Sequence, residues 1–449
     1  MSNLKIAGKT KLSGSVAVSG NKNAALPCLA ASLLLPPSYL REHPSLFISN
    51  LPDIRDVWVF SNILESWGIK VNRIDKNTVE LSKTLRFTEG PVEKSIAPEE
   101  ARKLRASVLL LGPLLRQQER VVLPQPGGCK IGPRPIDTHL ELFRDLGMDV
   151  KQNEDGSFVI KRNTEQEKLA NGDIWLREAS VTVTENALLF AAGNTQKDLR
   201  IQNAACEPHV TTLCRVLNAM GAHIEGVGSN LLFIRAGSSL FVSKNSTIMD
   251  RLEPDYIEAL TFAVAAAVTK SEVTIKEILP WHLALIDKYL RLMGLKTLFK
   301  TEKYGGNWSV MGNSVLKISP ELKEVKAEPW YGLPTDALPL LLILATQCQG
   351  ELEFVDYMYN GRLTNLANSL NNMGADIKLL GNRGLLVKGP TPLKSRVHLS
   401  PDLRNGVGLV LAALCAEGES QIQNFEIIER GYENLPEKLT ALDAKVEVI

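Results

Sequence analysis

The sequence predicts an α/β protein of two domains, in which helices buried on every side are wrapped by sheets, assembled from six related repeats with three in each domain. Three observations predict it. First, 449 residues exceed what one ordinary hydrophobic core covers, so two domains is the natural division. Second, LESWGIKV, LFRDLGMDV, VLNAMGAHI, YLRLMGLKT, SLNNMGADI and KLTALDAKV each read as the end of an amphipathic helix, a C-cap residue and the start of an alternating strand. Their cap residues Gly68, Gly147, Gly221, Gly294, Gly374 and Asp443 lie 79, 74, 73, 80 and 69 residues apart, close to one sixth of the chain. Third, each junction follows a second, more apolar run.

In chain order these runs are NAALPCLAASLL, RASVLLLGPLL, TENALLFAAG, IEALTFAVAAAV, DALPLLLILATQCQG and LVLAALCAEG. Each is apolar nearly all round, which marks a helix enclosed by neighbours rather than one lying on a surface. A repeat is therefore a buried helix, a strand region, an amphipathic helix and further strand, longer than any solenoid period. Crossovers between domains fit at VAVSG near Gly20 and at FVSKNSTIMD near Asp250. Residues 21–250 then carry repeats one to three, and residues 1–20 with 251–449 carry repeats four to six.

Composition removes several function classes. The 51 basic and 50 acidic residues leave a formal charge of +1, whereas a protein held to nucleic acid by counterion release carries a basic excess. Six irregularly spaced cysteines do not form a disulfide framework, and Cys206 and Cys214 lack the second pair a zinc site needs. Cys28, Cys348 and Cys415 sit in alanine-rich apolar runs and read as buried thiols. The run from Asn23 to Pro37 imitates a secretion signal, but about twenty strand-like residues precede it and Pro27 suits no cleavage site. We therefore expect a cytoplasmic protein. There is no GxxxxGK[ST] loop, no dinucleotide fingerprint after a strand, no GxSxG elbow and no HExxH. No cofactor and no metal are expected.

The polar residues collect at the starts of the buried helices: Lys22 and Asn23, Arg105, Ser180 to Glu185, Asp255, Thr335 and Asp336, and Asp402 to Arg404. A helix enclosed along its sides reaches a ligand only at its ends, and its N-terminus favours anions. Ordinary capping explains Ser, Thr, Asn and Asp there. It does not explain Lys22, Arg105 and Arg404, because a cation is disfavoured at that position unless an anion sits beside it. Phosphorylated substrates in a shared cleft are the expectation. The stretch PQPGGCKIGPRPIDTHL, Pro124 to Leu140, sets Cys129 behind two glycines and beside Lys130 and Arg134. Positive neighbours favour a thiolate, and glycine hinges between proline-stiffened arms suit a closing lid. An ordinary surface loop with an incidental cysteine is the alternative.

SGNKNAALPCLAASLL, RASVLLLGPL, PGGCKIGPRPIDTHL and ERGYENLPEKLTALDA together resemble the UDP-N-acetylglucosamine enolpyruvyl transferases, from about Lys11 to the C-terminus. The resemblance implies a two-domain inside-out α/β barrel of βαβαββ-type repeats, shared with enolpyruvylshikimate-phosphate synthase. It also implies metal-free transfer of an enolpyruvyl group from phosphoenolpyruvate to the sugar 3-hydroxyl. Carried over, Lys22 holds the donor phosphate, Asn23 orients donor against acceptor, and Cys129 is the lid residue that protonates or adds to the donor and is alkylated by fosfomycin. Arg134 and Arg430 bind the donor anions, and Arg105 and Arg404 are further cleft arginines. Asp336 is the candidate general base, Asp255 a second carboxylate, and Pro135, Ile136, Asp137, Ser180, Met358 and Arg362 line the acceptor. Phosphoenolpyruvate and UDP-N-acetylglucosamine are the implied partners, with no nucleic acid, no membrane and a monomeric chain.

Departures from the family pattern gather on the acceptor side. FENR becomes YNGR, with Asn360 and Gly361 before Arg362. SVGAT becomes SVTVT with Thr182, after Glu178 where a lysine occurs. Thr138 stands for leucine and Tyr256 for arginine. Two alternatives therefore stay open: the same chemistry on another nucleotide or nucleotide-sugar, and a non-catalytic paralogue that binds UDP-sugars.

Overall fold

The computed structural model describes residues 2–36, 44–84, 96, 98–127, 136–163, 172–192, 197–237, 240, 247–312, 315–359 and 361–449. Among the described residues the repeats appear as six pairs of helices. Numbered in chain order, they are α1 (Lys22–Ala31), α2 (Arg55–Ser66), α3 (Leu111–Gln117), α4 (Asp137–Asp145), α5 (Val181–Ala191), α6 (Pro208–Ala219), α7 (Tyr256–Val268), α8 (Pro280–Leu292), α9 (Leu338–Thr346), α10 (Arg362–Met373), α11 (Leu403–Cys415) and α12 (Leu435–Thr440). The odd helices are the apolar runs of the sequence, and every residue of α7, α9 and α11 is buried. The even helices bury one face only, as their amphipathic pattern requires.

Two buried helices start differently from a regular helix. Tight 3₁₀ turns at Arg105–Leu110 and Thr335–Ala337 lead into α3 and α9. Each carries a proline in its first turn, Pro113 or Pro339, which has no N–H to bond the Leu109 or Thr335 carbonyl as a continuous α-helix would require.

All six predicted cap residues adopt the left-handed conformation, with φ of 85° at Gly68, 81° at Gly147, 108° at Gly221, 92° at Gly294, 108° at Gly374 and 67° at Asp443. Asparagine supports the same corner in two repeats. The Asn218 and Asn371 side chains each bond both backbone groups of the strand residue beyond the cap, Ile224 and Ile377, at 2.8–3.0 Å.

Among the described residues the strands form six sheets, five of four strands in one recurring order and one of three strands. In the fourth repeat Glu272–Ile278 pairs in parallel with Ser15–Ala17 on one side and antiparallel with Gly305–Met311 on the other, and Lys296–Glu302 closes that hairpin. The fifth repeats this with Gly350–Asp356, Glu324–Ala327, Gly384–Gly389 and Asp376–Leu380. In the sixth the opening strand Asn3–Ala7 takes the hairpin position between Glu419–Gln423 and Val446–Val448, so the start of the chain completes its last repeat.

The chain divides into two compact units: residues 2–19 with 254–449, and, among described residues, 20–127 with 136–253. Each encloses its own apolar core, one around α7, α9 and α11 and one around α1, α3 and α5. At the crossing Gly20 is obligatory, since a Cβ there would lie 1.7 Å from the Asn50 carbonyl oxygen. Among the described residues the thiols of Cys28, Cys206, Cys214, Cys348 and Cys415 are buried.

Candidate active site

In the unit of residues 2–19 and 254–449, polar side chains converge where α7, α10 and α11 begin. Asp336, in the tight turn before α9, accepts from Arg362 Nη2 at 2.8 Å and from Arg404 Nε at 2.9 Å. Both guanidinium groups are buried, at 1% and 5% side-chain exposure, while Asp336 keeps 28% and is the member open to solvent. Burial pushes the Asp336 carboxyl up, but Arg404 and Arg362 more than reverse this and hold it well below the usual carboxylate range. It is therefore ionised at any physiological pH.

The surrounding shell fixes the two arginines. Arg404 Nη1 donates to the Tyr432 hydroxyl at 3.1 Å, and that hydroxyl meets Thr261 Oγ1 at 2.8 Å. Arg362 Nη1 donates to Thr335 Oγ1 at 3.1 Å, and Thr335 donates in turn to Asp356 at 3.1 Å. Asp356 also accepts from the backbone of Met358 and Tyr359, which shapes the turn before Arg362. Gly361 then enters α10 at φ 74°, a conformation that suits the glycine of YNGR. Asp255 caps α7, accepting from the backbone N–H groups of Ile257 and Glu258. Burial raises its pKa, opposed by Arg404 and the two backbone donors and assisted by Asp336. Tyr256, where the family pattern suggests arginine, is buried with its ring 5.8 Å from that of Trp330 and 6.1 Å from that of His282. It packs the loop that leads to Asp336.

In the other unit Lys22, the first residue of α1, pairs with Asp56 in the first turn of α2 at 2.6 Å. Asn21 caps α1 through the backbone N–H groups of Asn23 and Ala24, leaving the Asn23 side chain exposed. A second cluster lies at α5, where His139 Nε2 meets Thr182 Oγ1 at 3.0 Å and Asn186 Nδ2 donates to His139 Nδ1 at 3.1 Å. The amide donor assigns the imidazole proton to Nε2, so the histidine donates to Thr182. Burial, with the nearby Arg105 charge, pushes the His139 pKa down to about 3. Ser180 is the N-cap residue of α5.

These contacts correct two expectations. Lys22 and Arg404 do not stand alone at their helix starts, because Asp56 pairs with Lys22 and Asp336 pairs with Arg404. Glu185 does not belong with the residues at the start of α5, since it is 1% exposed within the core, where burial raises its pKa strongly. Asp336, Arg362, Arg404 and Asp255 do share one cluster. Ile136 is buried just before α4, Asp137 and Glu178 are exposed, Thr138 is half-buried and Met358 is 48% exposed. Arg430 is half-buried in the turn before Tyr432. Cys129, Lys130, Arg134, Pro135 and Asn360 lie outside the described residues. Sequence reasoning missed Asp56, Asp356, Asn405 and the His139–Asn186 pair. An acid or amide near the start of a helix or at the end of a strand is so common that nothing local marks it as a partner.

A family model described as EPSP synthase (3-phosphoshikimate 1-carboxyvinyltransferase) matches residues 6–439. A protein of Treponema denticola named UDP-N-acetylglucosamine 1-carboxyvinyltransferase is 37% identical, over 99% of this chain and 98% of its own length. A protein of the same name from Halothermothrix orenii is 37% identical over 100% of both chains. The enolpyruvyl transferase NikO from Streptomyces tendae superposes with a TM-score of 0.82 at 22% identity, covering 100% of this chain and 99% of its own. An EPSP synthase from Acinetobacter baumannii superposes at 0.73 with 17% identity over 100% of both chains. These two structures establish the likeness of fold, in agreement with the two-domain inside-out expectation.

Proposed function

We propose that this chain, which belongs to the EPSP synthase family, transfers the enolpyruvyl group of phosphoenolpyruvate to the 3-hydroxyl of UDP-N-acetylglucosamine and releases phosphate, the entry reaction of peptidoglycan precursor synthesis. The observation that carries this reading is identity of 36–37% with UDP-N-acetylglucosamine 1-carboxyvinyltransferases along 97% or more of both chains.

In the first half of the reaction the acceptor oxygen bonds to C2 of the donor, the hydroxyl proton leaves, and C3 gains a proton to give a tetrahedral phosphoketal. In the second half C3 loses a proton and phosphate departs with the electrons of its C2–O bond. Asp336 is the acceptor-side group. Its carboxylate is always available as a hydrogen-bond acceptor, but held by two arginines it is a weak base. It takes the proton only as C–O bond formation makes the hydroxyl acidic, which places the proton transfer within the transition state. Cys129 is the proton donor or covalent partner on the donor side. Lys22, Arg105, Arg134 and Arg430 answer the donor anions, Asn23 aligns the two substrates, and Ile136, Asp137, Ser180, Met358 and Arg362 hold the acceptor. On this reading a donor anion at Lys22 shares or replaces Asp56 as its counterion.

The same reading makes the protein cytoplasmic and monomeric, acting on small molecules without cofactor or metal. Among the described residues no helix is long and apolar enough to cross a membrane. The test is phosphate release from phosphoenolpyruvate with a panel of acceptors. Turnover with UDP-N-acetylglucosamine is expected. Turnover with a different nucleotide or nucleotide-sugar alone would reassign the acceptor, and binding of the sugar nucleotide without phosphate release from any acceptor would make the chain a non-catalytic binder.

A further inference from the structure

Arg362 grips Asp336 end-on. Its Nη2 donates to the carboxylate and its Nη1 to Thr335, while Nε finds no partner among the described residues although the side chain is only 1% exposed. A guanidinium held at its two tips and resting over the Tyr359 ring at 5.3 Å is less fixed in its plane than one held through Nε and Nη2 together. Arg404 is steadier, since Nε meets Asp336, Nη1 meets Tyr432, and its backbone N–H is fixed by Asp402. The backbone that carries Arg362 is held separately.

The neighbour of Arg404 holds it. Asn405 is 1% exposed and spends both amide protons across two helices, one on the Arg362 backbone carbonyl at 3.0 Å and one on Asp402 Oδ2 at 2.8 Å. Two acceptors on that side assign Nδ2 to it and turn Oδ1 away, where it too has no partner among the described residues. Asp402 is itself buried and uses Oδ1 to cap α11 through the N–H groups of Arg404 and Asn405. The first turn of α10, which carries Arg362, is thereby tied to the first turn of α11, which carries Arg404.

We propose that Asn405 is a positioning residue for the reaction: its amide bridges Arg362 and Asp402 and so sets the spacing of the two guanidinium groups that hold Asp336. This rests on the reading of Asp336 as the acceptor-side group. The charged and titratable groups facing Asp336 are Arg362 from α10, Arg404 from α11, Asp255 from the cap of α7, and Tyr432 and Asp356 at one remove through Arg404 and Thr335. None of these is altered by changing Asn405, so the variant reports on geometry alone.

The experiment compares the full-length protein with Asn405→Ala, using Asn371→Ala as a control. Asn371 is a part-buried asparagine that braces the far end of α10. The carboxyl carbon of Asp336 is followed by NMR against pH, beside kcat and donor KM. In Asn405→Ala the Asp336 titration is expected to rise by about one pH unit, the size of effect of a loosened arginine neighbour. At neutral pH kcat should fall by about tenfold, and donor KM should stay within about twofold, because donor binding is not involved. Asn371→Ala is expected to lower stability and leave the titration in place. An unmoved Asp336 in folded Asn405→Ala, or an equal movement in both variants, overturns the proposal. If Asn405→Ala does not fold, Asn405→Ser is read in the same way. If that too fails, exchange of the Asn405 side-chain amide protons in the unaltered protein decides, slow exchange supporting the bridge and fast exchange refuting it. The NMR titration does not depend on turnover. A moved titration with no activity on UDP-N-acetylglucosamine would retain the positioning role while overturning the functional reading.

Discussion

Asp336 is shared by two buried arginines, Arg362 at 2.8 Å and Arg404 at 2.9 Å, and is the most exposed of the three. Two cations around one carboxylate leave the group net positive and the carboxylate firmly ionised. Asp336→Asn keeps an acceptor for one arginine but loses the charge. The expected outcome is a folded protein that still binds the sugar nucleotide, with kcat lowered by about a hundredfold or more, as for loss of a positioned acid–base group. Calorimetric binding and phosphate release measure the two quantities separately. Loss of folding instead would make Asp336 a structural ion-pair partner.

Lys22 and Asp56 form a pair whose side chains are 15% and 5% exposed. Lys22→Ala is expected to abolish turnover and to cost about 3 kcal/mol of stability, because a buried carboxylate loses the lysine that pairs with it. Adding Asp56→Asn should recover much of that stability in urea unfolding and none of the activity. Near-normal turnover of Lys22→Ala would remove it from the donor site.

Fosfomycin is expected to add one equivalent of mass to the protein, on Cys129. The other five thiols are buried, and burial pushes Cys214, Cys348 and Cys415 up to about 12, so they stay protonated and unreactive. Peptide mapping with phosphoenolpyruvate or the sugar nucleotide present decides. An adduct on any buried cysteine, or none on Cys129, contradicts the assignment.

His139 gives a signed pH dependence. Its folded pKa is about 3 against an ordinary value near 6.5. Above pH 6.5 it is neutral folded and unfolded and contributes no slope. Below that the unfolded chain binds a proton the folded one refuses, so stability falls as pH drops. Between pH 6.5 and 5 the loss from this residue should approach about 2 kcal/mol. Urea unfolding of the wild type and of His139→Gln at the two pH values should show the smaller difference in the variant, and equal differences would contradict the burial argument.

Glu185 runs the opposite way. Its folded pKa is raised, so the folded chain keeps a proton that the unfolded chain releases, and stability falls as pH rises above the ordinary carboxyl value. Glu185→Gln, which keeps shape without ionising, is expected to be more stable than the wild type at pH 8 by about 1 kcal/mol or more and to lose that advantage near pH 4. Thermal unfolding at both values checks it.

The repeat architecture was legible because it is written locally. A left-handed corner takes glycine, or aspartate as at Asp443, and a helix enclosed by others has no polar face, so both leave marks in a few consecutive residues. The candidate site residues were named through resemblance and through their place at helix starts. Their partners were not. Asp56 is 34 residues from Lys22, Arg404 is 68 from Asp336, and Asn405 is 43 from Arg362.

What the amino-acid order settled alone was the periodic alternation of buried and amphipathic helices and the positions of their corners. What folding decided was which charge stands against which. That choice turned Lys22 and Arg404 from isolated cations into paired ones and made Asp336 a fully ionised, weakly basic carboxylate. The reason is that a pairing depends on distance in space, and the helix starts that carry these groups are brought together by cores whose own residues say nothing about charge.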